Sequence, residues 1–204
     1  MKKISFSFAT AALLIASAVP LRAQPAAPLP EMSAEVHMLK KDGQTFAQGK
    51  IYMTHNAARM EMLMPGQPIP MVNINRMDKN LMWMLMPEKK YMEQPLPFDP
   101  VTRNEIPKGW TQDCAPGETI DGHPTDKCLI KGDVGGKKLS TTIWKAKDLN
   151  GVVIRNIGES GAGMELKNIV VAAQPPSLFE VPADYKKMEL PAGMSEMMKK
   201  NTPK

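Results

Sequence analysis

Alternation of apolar and polar side chains with a period of two residues runs through most of this 204-residue chain. In Ser33–Lys40, for example, Ala34, Val36 and Met38 are separated by polar residues. Side chains of a strand point alternately to opposite faces, so this spacing predicts strands with one buried face. The predicted strands are Ser33–Lys40, Thr45–His55, Ala57–Met64, Ile69–Met77, Leu81–Met86, Lys90–Glu93, Thr125–Lys131, Leu139–Ala146, Val152–Ser160 and Met164–Ala172.

Turn signals such as Lys41-Asp42-Gly43 separate these strands, which favours antiparallel hairpins. The proline-rich segment Gln94–Gly117 is predicted to be irregular, with at most a short helix near Pro100–Glu105. Leu178–Pro182 is interpreted as a closing strand or clasp. The fold class that follows is mainly β: a strongly curved antiparallel sheet, or open half-barrel, with few short helices.

The N-terminus has the three parts of a secretory signal peptide. Lys2 and Lys3 precede an apolar run, Phe6–Val19, which is shorter than the roughly 20 residues that a membrane-spanning helix needs. Small residues allow cleavage after Ala18 or after Ala23, and the second is preferred because a Pro/Ala-rich stretch follows it. We therefore expect a soluble protein exported to the periplasm, with no transmembrane segment after cleavage.

Cleavage after Ala23 divides the chain into a signal peptide (1–23), a linker (24–32), a single β domain (33–187) and a C-terminal tail (188–204) that could form a short helix. No core residue is expected in the stretch from Gln24 to Pro30. Cleavage removes three basic residues and no acid, so the net charge falls from +5 by three, to +2. The remaining basic residues are scattered among acids, and we expect no nucleic-acid partner.

The chain has two cysteines, Cys114 and Cys128, separated by turn signals. An even pair in an oxidising compartment predicts a disulfide. For a loop of this size, a disulfide would stabilise the fold by about 3 kcal/mol. A metal site with His123 as a third ligand is the alternative, although two cysteines and one histidine lack a fourth ligand.

Methionine is the main compositional anomaly, with 18 residues. Met60, Met62 and Met64 share one face of a predicted strand, and Met82, Met84 and Met86 share one face of another. The second strand is apolar on its other face as well, so either both faces are buried or one lines a cavity. The candidate ligand-binding residues are Met60, Met62, Met64, Met71, Met82, Trp83, Met84 and Met86.

Three interpretations of these methionines remain open. They could form an ordinary core, or a cavity for a flexible apolar ligand, to which an unbranched thioether adapts well. Alternatively, they could bind Cu(I), which soft thioethers select, with His37, His55 or Trp83 completing the site. Leucine in place of two of the methionines would distinguish copper binding from the other two.

An ordered set of motifs resembles a known superfamily. The motifs are Gly49–Tyr52, Ala58–Met62, Asn75–Leu85, Pro87–Glu93, Gly117–Cys128 and Phe179–Tyr185. Together they resemble periplasmic proteins related to the outer-membrane lipoprotein carriers, the LolA/LolB/RseB-like superfamily. The resemblance covers most of residues 33–187 and implies a half-open barrel whose concave face shelters a lipid-like ligand.

Catalytic and cofactor motifs are missing from the sequence. It has no Gly-x-Ser-x-Gly, phosphate loop, His-Glu-x-x-His or zinc-ligand spacing, so we expect neither an enzyme nor a cofactor. The sequence therefore predicts a non-enzymatic periplasmic protein with a methionine-rich cavity for a hydrophobic ligand. The alternatives are a periplasmic Cu(I)-binding protein and an envelope module that binds another protein.

Overall fold

The computed structural model describes residues 28–96 and 106–188. The expected signal peptide, the Pro100–Glu105 helix and nearly all of the C-terminal tail lie outside this part of the chain. The strands are β1 (Met32–Leu39), β2 (Thr45–Met53), β3 (Ala57–Leu63), β4 (Met71–Arg76), β5 (Leu81–Met86), β6 (Lys90–Pro95), β7 (Thr111–Pro116), β8 (Thr125–Val134), β9 (Lys137–Ala146), β10 (Val152–Gly158), β11 (Gly163–Val171) and β12 (Lys186–Lys187).

These strands form one open, curved sheet in the order β12-β6-β5-β4-β3-β2-β1-β11-β10-β9-β8-β7. Each half is a meander of sequential hairpins, and the pairing of β1 with β11 joins the halves. All pairs are antiparallel except the two-residue β12, which runs parallel to β6. The helices in the described ranges are three 3-10 segments of three or four residues. The predicted fold class is confirmed.

Cross-strand pairing assigns the side chains to two faces. Ile51 pairs with Met60, Met60 with Asn73, and Asn73 with Met84, so these residues share a face. We call it the inner face, and we call the face that carries Ile74 and Trp83 the outer face.

The inner face is concave. Asn75 on β4 and Val152 on β10 line the same cavity, although five strand positions separate their strands. In a flat sheet such strands would lie about 24 Å apart, so the sheet curls around this face. The larger hydrophobic cluster lies here, built around Met32, Val36 and Leu166.

Two sequence expectations need correction. The segment Gln94–Gly117 is not irregular throughout, because β6 continues to Pro95 and β7 occupies Thr111–Pro116. The expected linker also contributes to the core: Leu29 packs against the inner cluster, and Met32 is fully buried at the start of β1. Asn150 Nδ2 donates to the Pro28 carbonyl at 2.8 Å, and this contact holds the stretch before β1 beside β10, where Leu29 reaches the inner face.

The closing segment after β11 is a 3-10 helix, Pro176–Phe179, rather than a strand. We call residues 176–187 the clasp. Phe179 is 4% exposed and packs on the outer face with Ile74, Trp83 and Leu85. The clasp therefore covers the outer face of β3–β6 rather than the inner face.

Candidate functional site

The two predicted methionine rows lie on the same inner face. Met60 and Met62 on β3 and Met84 and Met86 on β5 flank β4, which runs between the two rows. Two strand spacings separate the rows by about 9.6 Å. Met71 lies on β4 beside Met62 and is 45% exposed, whereas the rows themselves are buried or half-buried.

A glycine on β2 leaves space for one of these methionines. Gly49 on β2 lies opposite Met62, and a Cβ at Gly49 would come within 2.6 Å of the Met62 sulfur and 1.9 Å of the Glu61 carbonyl oxygen. Glycine at this position is therefore required for Met62 to be buried, at 8% exposure. The remaining methionines of the rows keep part of their surface accessible.

Trp83, the one aromatic residue among the candidates, does not share the face of the methionines. It is 7% exposed on the outer face, under the clasp, and its Nε1 donates to Glu93 Oε2 at 2.9 Å. Lys187 of β12 pairs with the same carboxylate at 2.6 Å, and Lys79 lies 5.3 Å from the indole centroid. The hydrogen bonds from Lys187 and Trp83 lower the pKa of Glu93. Trp83 therefore joins the clasp to the sheet.

Two arginines anchor the clasp and were not singled out from the sequence. Arg59 Nη1 donates to the Leu178 carbonyl at 3.1 Å, and Arg76 donates to the Phe179 carbonyl at 3.3 Å and to Glu180. Arg76 also binds Asp78 at 2.6 Å, and this hydrogen bond lowers the pKa of the aspartate. These residues belong to the outer face, so they position the clasp rather than line the concave side.

A cavity of about 500 Å³ opens on the inner face between the two halves of the sheet. None of the eight candidate residues lines it. The seven methionines among them extend along the inner face from its margin, and Trp83 lies on the outer face. Ala58 and Asn75 connect the two regions, because Ala58 precedes Met60 by two residues and Asn75 pairs with Met82. The lining residues are Leu29, Ile51, Met53, Thr54, Ala58, Asn75, Met77, Gly151, Val152, Val153, Met164 and Leu166.

Among the described residues, the lining carries no charged side chain, and only Thr54 and Asn75 bring polar side chains to it. The Thr54 hydroxyl is already engaged, because it donates to the Ala57 carbonyl at 3.4 Å and accepts from the Ala57 N–H at 3.0 Å. The cavity is therefore suited to an apolar ligand. Leu29 and the β10–β11 residues were missed because only the pairing of β1 with β11 brings them to β4.

A second tryptophan, Trp144 on β9, belongs to the inner cluster. Its ring lies between Lys127, 5.0 Å from the centroid, and Arg155, 5.2 Å away. Trp144 Nε1 and Arg155 both donate to the Glu118 carboxylate, each at 2.8 Å. The hydrogen bond from Trp144 lowers the pKa of Glu118. This network surrounds the Trp144 indole with charged groups.

The predicted disulfide is present. Cys114 on β7 and Cys128 on β8 are paired directly across the two strands, with their Cα atoms 4.0 Å apart. Both thiols are therefore unavailable to a metal, and His123 instead contacts Asp148 at 2.9 Å. All six residues of β7 are exposed, so β7 gains little stability from burial, and the disulfide holds it to β8.

The histidines proposed to assist copper do not join the methionine rows. His37 contacts Glu35 and Thr45 from the outer side of β1, and His55 is exposed in the turn after β2. Within residues 28–96 and 106–188, no group of three or more His, Cys, Asp and Glu side chains could hold a metal ion. A copper site on the inner face would consist of thioethers.

Two solved structures share this fold at low sequence identity. An uncharacterized conserved protein from Thermus thermophilus aligns with a TM-score of 0.55 and 12% identity, covering 78% of this chain and 90% of that one. PNGF-II aligns with a TM-score of 0.54 and 13% identity over 84% of this chain, which spans 34% of the length of PNGF-II. At such identities the likeness extends to the fold alone.

A more distant likeness involves the Mycobacterium tuberculosis lipoprotein LppX, with a TM-score of 0.43 and 14% identity over 72% of this chain and 89% of that one. A TM-score this low supports no conclusion about LppX and this chain. No protein-family model and no curated protein sequence matches the chain. The resemblance to the lipoprotein carriers therefore stays a prediction, although the curved open sheet that it implies is present.

Within the described ranges, no helix has both the length and the apolar character to cross a membrane.

Proposed function

We propose that this protein is an exported, non-enzymatic binding protein that holds a lipid-like or hydrophobic ligand on its inner face. The observation that carries the proposal is the uncharged cavity of about 500 Å³, which continues into the face of the methionine rows. Ligand pockets of this kind usually measure about 300–1,000 Å³ and are lined mainly by apolar side chains.

The shape of the sheet supports binding rather than simple core formation. The clasp packs on the outer face, so the outer surface of β3–β6 is covered. The inner face of the same strands retains half-buried methionines and an open cavity. Each methylene group that a ligand buries here would contribute about 0.8 kcal/mol. A single acyl chain would therefore gain enough free energy to bind without any charged contact.

Methionine at these positions favours a ligand with a flexible or variable chain. Its three rotatable bonds and polarizable sulfur allow one surface to fit several shapes. The half-buried Met84 and Met86 could rearrange around a bound chain, whereas Met62 is already buried where the glycine at position 49 leaves space for its sulfur. We propose that the methionines form the adaptable part of the site and that Trp83, on the outer face, takes no part in it.

The proposal is tested by titrating the protein, purified from a periplasm, with a neutral fluorescent dye such as N-phenylnaphthylamine. We expect saturable binding. Ala58→Trp, which places an indole in the cavity, should weaken binding at least tenfold, and Ala58→Leu should weaken it less. Ala173→Trp is the matched control because Ala173 is exposed after β11. Absence of saturable binding by the unmodified protein, or equal binding by Ala58→Trp, would refute the proposal.

A second candidate is Cu(I) binding, favoured by the placement of both methionine rows on one face. Replacing Met62 and Met84 together by leucine removes two sulfurs and keeps apolar volume. If the site binds copper, competition with a Cu(I) chelator should reveal tight stoichiometric binding that the double variant loses. If the face binds lipid, the double variant should still bind the dye within about threefold of the unmodified protein.

A further inference from the structure

Two buried polar atoms have no hydrogen-bond partner in the described part of the chain: Asn73 Oδ1 and Asn75 Oδ1. Both residues belong to β4, and two positions separate them, so their side chains point to the same face. That face is the inner one, because Asn73 pairs with Met60 and Met84. Asn73 therefore lies between the two methionine rows, and Asn75 lies between Ala58 and Met82.

Among residues 28–96 and 106–188, no side chain or backbone N–H donates to either carbonyl. Asn75 lines the cavity, next to Ala58 and Met82 on the neighbouring strands. The lining includes no charged side chain, and the Thr54 hydroxyl is already bonded to Ala57. Buried polar groups in folded proteins are almost always satisfied, and exceptions cluster at functional sites. A ligand that carries a hydrogen-bond donor would satisfy them.

We propose that Asn73 and Asn75 accept hydrogen bonds from a neutral donor group attached to the apolar chain of the ligand. This inference rests on the proposed function and specifies the ligand class: an uncharged amphiphile whose head carries hydroxyl or amide N–H groups. An ionised fatty acid is disfavoured, because a carboxylate only accepts hydrogen bonds and no cationic side chain of the described part of the chain lines the cavity. An ester without a donor leaves both carbonyls unsatisfied.

The geometry limits how the donors are arranged. Alternate residues of a strand lie about 6.7 Å apart along its axis, so a head group with two donors a few bonds apart could reach both carbonyls. The apolar chain would then extend from the Asn75 end into the cavity or along the methionine rows. Hydroxyl groups of an acylglycerol and the amide N–H of an acylated amine present the same chemistry.

The test measures displacement of the neutral dye by four ligands of equal chain length: a monoacylglycerol, an N-methyl acyl amide, a methyl ester and a fatty acid at neutral pH. We expect the monoacylglycerol or the amide, or both, to bind about tenfold more tightly than the ester and the acid. The better of the two identifies the source of the donor. In Asn75→Leu this preference should fall below threefold, while Asn56→Leu, in the exposed β2–β3 turn, should retain it.

Stability gives an independent readout. Because leucine leaves no buried carbonyl unsatisfied, Asn75→Leu should unfold at the same temperature as the unmodified protein or at a higher one. A lower unfolding temperature would mean that the amide already has partners, such as a bound water, and would overturn the inference. Equal affinity for ester and monoacylglycerol would also overturn it. Failure of the dye to bind at all would instead refute the proposed function.

Discussion

Met84→Glu and Leu85→Glu form a matched pair that separates a ligand-binding face from a packed core. The two residues are neighbours on β5 and point to opposite faces. Met84 is half-buried between Asn73 and Met92 on the inner face, whereas Leu85 is 5% exposed and packs with the clasp on the outer face. The same charge is therefore introduced into an open face and into a closed one.

The expected magnitudes differ because of burial. Fully burying an apolar side chain is worth about 1.5–3 kcal/mol, and a half-buried Met84 contributes about half of this. A carboxylate at this position keeps contact with water, so Met84→Glu should cost about 2 kcal/mol, which lowers the unfolding temperature by about 4–8 °C. Leu85→Glu buries a charge under the clasp, where Arg59, Arg76 and Lys187 are already paired with acids, and should lower the free energy of unfolding by more than about 4 kcal/mol.

Thermal unfolding followed by circular dichroism, together with dye titration, provides the assay. Met84→Glu should remain folded at 25 °C and lose at least tenfold in dye affinity, because the charge opposes an apolar ligand. Leu85→Glu should fold poorly or not at all. If Met84→Glu unfolds as Leu85→Glu does, the methionine face is solid core. If it folds and binds normally, the ligand does not reach Met84.

Three further predictions concern the framework of the site. Replacing both Cys114 and Cys128 by serine should lower the free energy of unfolding by about 3 kcal/mol. Thiol labelling of the unmodified protein, denatured without reductant, should find no free thiol, and two reactive thiols would contradict the disulfide. Phe179→Ala should lower the free energy of unfolding, measured by urea titration, by about 3–5 kcal/mol, because it leaves a cavity between the clasp and the outer face. A decrease below about 1 kcal/mol would mean that the clasp is not required for stability. The folded pKa of Glu93 lies below its ordinary value of 4.5, so the stability that the ionised Glu93 contributes is present above pH 4.5 and is lost as the pH falls through the lower folded pKa. Glu93→Gln should make the free energy of unfolding less dependent on acid pH. An identical acid profile for the variant and the unmodified protein would exclude a role for the pair with Lys187.

Strand positions were predictable because local alternation and turn residues determine them. The predicted strand Ala57–Met64 corresponds to β3, Ala57–Leu63, and Leu81–Met86 corresponds to β5 without change. Strand β7 was missed for the opposite reason. Its six residues are all exposed and include Pro116, so no apolar face marks it. It is a strand because it pairs with β8, where Cys114 meets Cys128.

The candidate site was predictable in part. The sequence placed three methionines on one face of each of two strands, and the structure puts both rows on the same face. It could not assign the other apolar face of β5, where Trp83 packs, to the clasp, since Phe179 is far away in the chain. Asn73 and Asn75 alternate with apolar residues like any polar residue expected to face solvent. Only the curvature of the sheet turns their face inward.

By itself, the sequence determined the mainly β composition, the disulfide partners and the spacing that aligns each methionine row, because each depends on neighbours in the chain or on having only two cysteines. The tertiary structure decided which face is concave and which residues line the cavity. The deciding contact is the pairing of β1 with β11, where Val36 meets Leu166. A contact between residues so far apart depends on the register and curvature of the whole sheet, and no local pattern encodes either.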